Sequence, residues 1–150
     1  MNEFMQAALD EAQQGRDEGG VPIGCVIVHE GRIIGRGHNR RVQRESAILH
    51  AEMDALESAG RLPARIYRES TLYTTLSPCP MCSGAIELYG FRRVVIGENR
   101  SFMGAEAHLR ACGVQLEVLQ SEACIDVMER FIRERPELWF EDIGCEAGDF

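Results

Sequence analysis

"TLYTTLSPCPMCSGAIELYG", residues 71–90, runs from a β-rich hexapeptide through a proline-bracketed cysteine pair into a stretch of helix formers closed by glycine. Thr71 to Leu76 carries the β-branched and aromatic residues of a strand. Pro80 suits the first turn of a helix, where its missing N–H would have had no partner and its φ is already helical. Gly90 suits the helix end. "RVVIG", residues 93–97, then supplies another strand, so the stretch belongs to a strand–helix–strand unit. Cys79 and Cys82 fall where the strand gives way to the helix. At i and i+3 their sulfurs share one face, and a helix N-terminus favours the thiolate that a metal requires.

Working outward, Phe4, Met5, Ala8, Leu9 and Ala12 fall at helical spacing until "DEGGVPIG", residues 17–24, breaks the pattern. "GCVIVHEGRIIGRG" reads as a hairpin from Gly24 to about Arg36, followed by the polar loop "HNRRVQRES". "ILHAEMDALESA", from about Ile48 to Ala59, has the composition of a short helix closed by Gly60 and Pro63. Downstream, "VQLEVL" alternates as a last strand, and "SEACIDVMERFIRER" is a helix opened by Ser121 and ended by Pro136. The order shows no repeat, low-complexity tract or linker. It describes one domain over residues 1–150, an α/β sandwich with one mixed sheet covered by helices.

A chain of 150 residues, 45% hydrophobic and 27% charged, has the composition of a soluble globular domain. Its formal net charge of −8 repels phosphate backbones, so a small neutral molecule is a better substrate class than nucleic acid. The acidic N-terminus "MNEFMQAALDEAQQG" has no basic leader region, and Asn2 is incompatible with N-terminal myristoylation. Apolar runs such as "CVIV" are too short to cross a bilayer, so no membrane association is expected. The expected location is cytoplasmic, where six cysteines serve metal binding or chemistry more readily than disulfides.

Zinc held by cysteine and histidine is tetrahedral, so the pair needs two further protein ligands for a closed structural site, or one and a water. "HAE", residues 50–52, lies near another helix start. Residues two apart on a helix point roughly 200° from each other, so only one of His50 and Glu52 ligates the ion and the other stays free. A free carboxylate beside a metal with an open position can take a proton from bound water and pass it on. Taken alone, a C-x-x-C is also a redox dithiol or half a zinc ribbon, but no second C-x-x-C is present to complete a ribbon. The isolated Cys25, Cys112, Cys124 and Cys145 are expected to pack as small hydrophobes, and His29 and His108 to lie on the surface.

Histidine, glutamate two residues later, then P-C-x-x-C is the known signature of zinc-dependent nucleobase deaminases. Beyond it, the chain resembles the cytidine deaminase-like superfamily and, within it, the fungal type of cytosine deaminase: "EGGVPIG", "GRGHN", "TTLSPC", "MCSGAI", "GEN" and "ERPELWFEDIG" all look like segments of that type, and the last discriminates best. The resemblance covers nearly the whole chain. It implies a three-layer α/β/α fold with a mixed five-stranded sheet, a homodimer, and one zinc (Zn2+) per chain held by His50, Cys79, Cys82 and a water. It implies Glu52 as proton shuttle, Asn39 reading a pyrimidine 2-oxo group and Asp142 accepting from ring N1–H. Backbone groups near Ile23, Ala51, Ser77 and Cys79 would complete the ring of hydrogen bonds, with His38, Phe102 and Trp139 lining or roofing the pocket.

The implied reaction is cytosine to uracil and ammonia, serving either pyrimidine salvage or use of an unusual nitrogen source. A deaminase of guanine, isocytosine or creatinine would keep the zinc and Glu52 but need another partner than Asp142. A tRNA adenosine editor fits the acidic chain less well. Two departures stand out: Ala51 replaces the glycine of the fungal His-Gly-Glu, and Cys145 to Phe150 extend past "EDIG", where they are expected near the pocket mouth.

Overall fold

Helix α1 (Glu3–Asp17) starts because Asn2 caps it, its side chain accepting the Met5 N–H at 2.8 Å. The structure, a computed structural model, describes residues 2–146. The hairpin follows as β1 (Gly24–His29) and β2 (Arg32–His38), turned at Glu30 and Gly31, which both take positive φ. Then come α2 (Arg41–Arg44), α3 (Ala51–Ala59), α4 (Ala64–Arg68) and β3 (Thr71–Leu76). The second half is α5 (Pro80–Tyr89), β4 (Arg93–Glu98), α6 (Glu106–Ala111), β5 (Gln115–Val118), α7 (Glu122–Glu134) and α8 (Pro136–Asp142).

Four of these helices are not visible in the periodicity. α2, α4 and α6 have four to six residues, too short to display a repeating apolar face. Pro136 does end α7 as expected, but it also opens α8 at a first-turn position, the one place in a helix where proline is welcome.

The five strands form one mixed sheet in the order β2-β1-β3-β4-β5. β1 is antiparallel to both β2 and β3, whereas β3, β4 and β5 run parallel. The central strands are buried on both faces, which is why "CVIV" and "VVI" read as continuous apolar runs. β5, at an edge, alternates exposed and half-buried residues. Helices α1 and α7 pack against one face of the sheet and α3 against the other, with α5 beside α3, giving the three-layer α/β/α sandwich. A single hydrophobic cluster fills it, from Met5 and Leu9 through Val26, Leu72 and Ile96 to Met128 and Phe131.

Strand alternation decides what each face receives. His38 lies opposite Gly24 in the hairpin, and both face α1. The fully buried His38 ring is held between two carboxylates of α1 and its C-terminal cap, Glu11 at 2.9 Å and Glu18 at 2.7 Å. His29, expected on the surface, is largely covered and lies 3.2 Å from Glu69. Cys25 and Cys124 are fully buried core residues, but Cys145 is only half-buried and Cys112 is exposed, so the expectation of uniform packing fails for these two.

The approach of α1 to the sheet is set by Gly24, where a Cβ would stand 1.8 Å from the Ala8 carbonyl oxygen and 2.7 Å from the Ala12 nitrogen. Both are backbone atoms and cannot rotate away. Gly24→Ala should therefore lower stability by at least ~1–3 kcal/mol, the usual cost of overpacking, measured as a reduced urea midpoint. An unchanged midpoint would mean that α1 is free to lift off the sheet.

Candidate active site

Two helix starts meet at the end of β3. Cys79 is the N-cap of α5, with extended backbone, and its sulfur accepts the Cys82 N–H at 3.5 Å. His50 is the N-cap of α3. The Nδ1 atom of His50 lies 3.3 Å from the Cys79 sulfur and 3.7 Å from the Cys82 sulfur. With Zn–N of about 2.05 Å and Zn–S of about 2.3 Å, tetrahedral ligands place N and S about 3.6 Å apart. The three side chains thus stand at ligand spacing, and their donor set is that of zinc. Nε2, on the far side of the ring, is 3.2 Å from the Asp142 carbonyl and 3.4 Å from its Oδ2, the outer partner that orients a metal-binding histidine.

The electrostatics suit a cation. The Cys82 thiol donates to Cys79, and with the His50 ring this outweighs burial and brings the Cys79 thiol down to about 4. Cys82, beside that thiolate and itself buried, is pushed well up. Burial works against a charged His50, but Cys79, Asp142 and Glu52 overcome it and lift the ring to about 9. A divalent cation bound here replaces the protons shared among these groups.

Glu52 lies in the first turn of α3, lining the same pocket as His50 and Cys79 and within hydrogen-bond reach of the Cys82 thiol. It is buried, and desolvation raises its carboxyl to about 7, the range in which a carboxyl both takes and returns a proton near neutral pH.

A narrow pocket, with a cavity volume of about 20 Å³, lies beside these groups. Of the residues expected at the site, Ile23, His50, Glu52, Ser77, Cys79, Phe102, Trp139 and Asp142 line it, together with Leu76 and Ile143. Phe102 and Trp139 meet edge to face, with ring centroids 6.1 Å apart. Cys82 is buried behind the His50 ring, and Ala51 is buried as the first residue of α3. His38 does not reach the pocket, because alternation along β2 turns its ring toward α1. Asn39 is fully buried beside Asp142, donating to its Oδ1 at 2.9 Å through Nδ2 while its own Oδ1 accepts the Arg41 N–H at 3.0 Å.

Two groups that carry no sequence signal complete the site. Arg41 grips both oxygens of Glu141, at 2.7 and 2.8 Å, and reaches Asp142 at 3.3 Å, so it fastens α8 over the pocket. Buried Glu106 accepts the Ser77 hydroxyl at 2.6 Å and the Asn99 amide at 3.3 Å, and Ser77 in turn accepts the Gly104 N–H at 2.9 Å. That network hangs the loop carrying Phe102 from the end of β3. Of the extension after "EDIG", Cys145 and Glu146 are described, whereas residues 147–150 lie outside the described residues, so its expected place at the pocket mouth goes with them.

An α/β/α sandwich with His50, Cys79 and Cys82 at zinc spacing, and a buried carboxylic acid beside them, has the architecture of a zinc-dependent deaminase. The description "Cytidine and deoxycytidylate deaminase zinc-binding region" matches residues 1–98, and the chain belongs to this family. It is 55% identical over 141 residues to a cytosine deaminase of Candida albicans, covering 93% of this chain and 94% of that one. It is 41% identical over 142 residues to a tRNA-specific adenosine deaminase of Streptococcus pyogenes, covering 87% and 89%. A solved structure from a study of A-to-I editing by tRNA:A34 deaminases superposes with a TM-score of 0.64 at 33% identity, over 77% of this chain and 94% of that one.

Three outcomes follow from this geometry. Glu52→Ala should keep the fold and one zinc per chain by metal analysis while turnover falls ~10²- to 10⁴-fold, the usual weight of a general acid–base group. Cys79→Ser or Cys82→Ser should lose the zinc itself. For the Phe102 loop, Glu106→Ala should raise KM about 3- to 10-fold with little change in kcat, as expected for one net hydrogen bond holding a binding loop. An equal loss in kcat would place Glu106 in the chemistry instead.

Proposed function

We propose that this chain, as one zinc-dependent deaminase domain, hydrolyses the exocyclic amine of free cytosine to give uracil and ammonia. The observation that carries the reading is Asp142: it lines the same pocket as Glu52, His50 and Cys79, with its carboxylate already gripped by Asn39 and Arg41. A buried carboxylate aimed at a ring demands an N–H, and cytosine offers one at N1. The similarity to the Candida albicans cytosine deaminase over nearly the full length supports the same substrate.

When bound, zinc supplies the Lewis acidity that makes a water a competent nucleophile near neutral pH. Glu52 takes the proton of the attacking water and delivers it to ring N3, which makes C4 electrophilic. It then takes the proton of the new C4 hydroxyl and passes it to the amino group, so that the C4 carbonyl forms as the C4–N bond breaks and ammonia departs. Asp142 fixes N1–H, the second Nδ2 hydrogen of Asn39 serves the 2-oxo group, and backbone groups of Ile23, Ala51, Ser77 and Cys79 match the rest of the base edge. Phe102 and Trp139 cover the ring and exclude bulk water.

Several features support the wider setting. Among the described residues no helix is long and apolar enough to cross a membrane, and all six cysteines are unpaired, which suits a reducing cytoplasm. A groove lined by Met53, Leu56, Leu62, Tyr67 and Tyr89 between α3, α4 and α5, with Leu88 exposed beside it, suits a homodimer contact. The uracil formed suits pyrimidine salvage.

The test is ammonia release by zinc-loaded protein with cytosine, isocytosine, guanine, creatinine, cytidine and adenosine. Cytosine should lead, and Asp142→Ala should cut kcat/KM for it by ~10- to 100-fold, the equivalent of one unmatched buried hydrogen bond. Preference for another heterocycle would leave the zinc chemistry standing and overturn the assignment of Asp142. Salt-sensitive binding and deamination of tRNA would favour the activity named for the Streptococcus pyogenes relative.

A further inference from the structure

We propose that Glu87, His108 and Cys112 form a second zinc site, on the outer surface between α5 and α6. The three side chains come from two helices, and their ligand atoms all lie within 4.8 Å of one another. His108 and Cys112 are four residues apart, so the helix places them on one face, and the Cys112 N–H donating to the His108 carbonyl at 3.0 Å keeps that spacing to the end of the turn. Gly113, at φ +87°, stops the helix there. The rotation of each helix is fixed by a fully buried neighbour, Leu109 on α6 and Ile86 on α5. The ligand backbone is therefore rigid, while the side chains are exposed and free to adjust.

The spacing resembles that of the catalytic trio. The Cys112 sulfur is 3.6 Å from His108 Nε2, against 3.3 and 3.7 Å for the sulfurs around His50 Nδ1. Glu87 Oε2 is 2.8 Å from the same His108 nitrogen. Tetrahedral zinc ligands would set N and S about 3.6 Å apart and N and O about 3.3 Å apart, so the sulfur is already in place and the carboxylate must withdraw by roughly half an ångström. One thiolate, one carboxylate and one neutral imidazole balance the charge of a divalent cation, with water as the fourth ligand. As a simple ion pair, exposed His108 and Glu87 would contribute little.

The site is separate from the pocket and uses none of its residues. Tyr89, in the proposed dimer groove, is two positions from Glu87 and roughly 200° around α5, which leaves the site clear of that contact. Zinc here would brace the helix that begins with Cys79 and Cys82 against the helix whose Glu106 anchors the Phe102 loop.

The test starts from protein carrying one zinc per chain. With free zinc buffered in the low micromolar range, the wild type should take up a second equivalent, and Cys112→Ser and His108→Ala should stay at one. Cobalt(II) added to the one-zinc protein should give a thiolate-to-cobalt absorption band that Cys112→Ser abolishes. Both variants should release ammonia at the wild-type rate. A wild type that stops at one equivalent, or a Cys112→Ser/His108→Ala double variant that still takes two, overturns the proposal. Because the readout is metal content and absorption, it is independent of which base the enzyme deaminates.

Discussion

The separation of 3.3 Å between His50 Nδ1 and the Cys79 sulfur is a constraint on the backbone before it is a feature of the chemistry. Both residues are helix N-caps, so the contact requires the starts of α3 and α5 to converge at the end of β3. α3 can approach only because β2 presents glycine to it: a Cβ on Gly35 would stand 2.5 Å from the Ala55 carbonyl oxygen, and one on Gly37 would stand 2.6 Å from the Ala55 nitrogen. The start of α5 is pinned from its own side, with the Ser83 hydroxyl donating to the Pro78 carbonyl at 3.0 Å. Convergence of two helix N-termini also collects positive potential where thiolates and a carboxylic acid must lie close together. The sheet order, the glycines and the prolines all serve that one meeting point.

Around it the polar groups are matched before any substrate arrives. Asp142 has Asn39, Arg41 and the His50 ring as partners, and the Ser77 hydroxyl is committed to Glu106 and Gly104. Ser77 therefore meets the pocket with its backbone, its hydroxyl being turned into the supporting layer. A site assembled in this way has little to reorganise when a base enters, which is the condition under which fixed dipoles act best on a transition state. Asp142 does two jobs: it faces the pocket, and its carbonyl and carboxylate both approach the outer nitrogen of a zinc ligand. The pocket wall and the outer contact of a metal-site histidine thus share one residue.

The parts of this arrangement that were legible in the sequence are those with short local rules. The strand "TLYTTL", the helix from Pro80 to Gly90, the hairpin and the Ser121 helix start all follow from composition, punctuation and capping, and the His50, Glu52, Cys79 and Cys82 set follows from ligand chemistry at fixed spacing. The remainder depends on tertiary placement. His38 adjoins Asn39 in sequence yet faces the opposite side of the sheet, and only the hairpin register with Gly24 decides this. Arg41 and Glu106 act on residues 100 and 29 positions away, a relation with no local signature. α8 was hidden because proline at the end of one helix is also a good beginning for the next.

The pocket wall supplied by α8 gives the enzyme an order of assembly. The three zinc ligands lie between residues 50 and 82, whereas Trp139 and Asp142 come from the last helix. During synthesis the N-terminal part of a chain emerges first, whereas a domain folds as a unit. All three candidate ligands of the metal have therefore left the ribosome while the pocket wall from α8 is still inside it. Until Arg41 has captured Glu141, such a chain has its ligand residues without the α8 wall of the pocket. A chain cut before residue 136 would stay in that state, so proteolysis at the α7–α8 junction would silence the enzyme while leaving its zinc ligands in place.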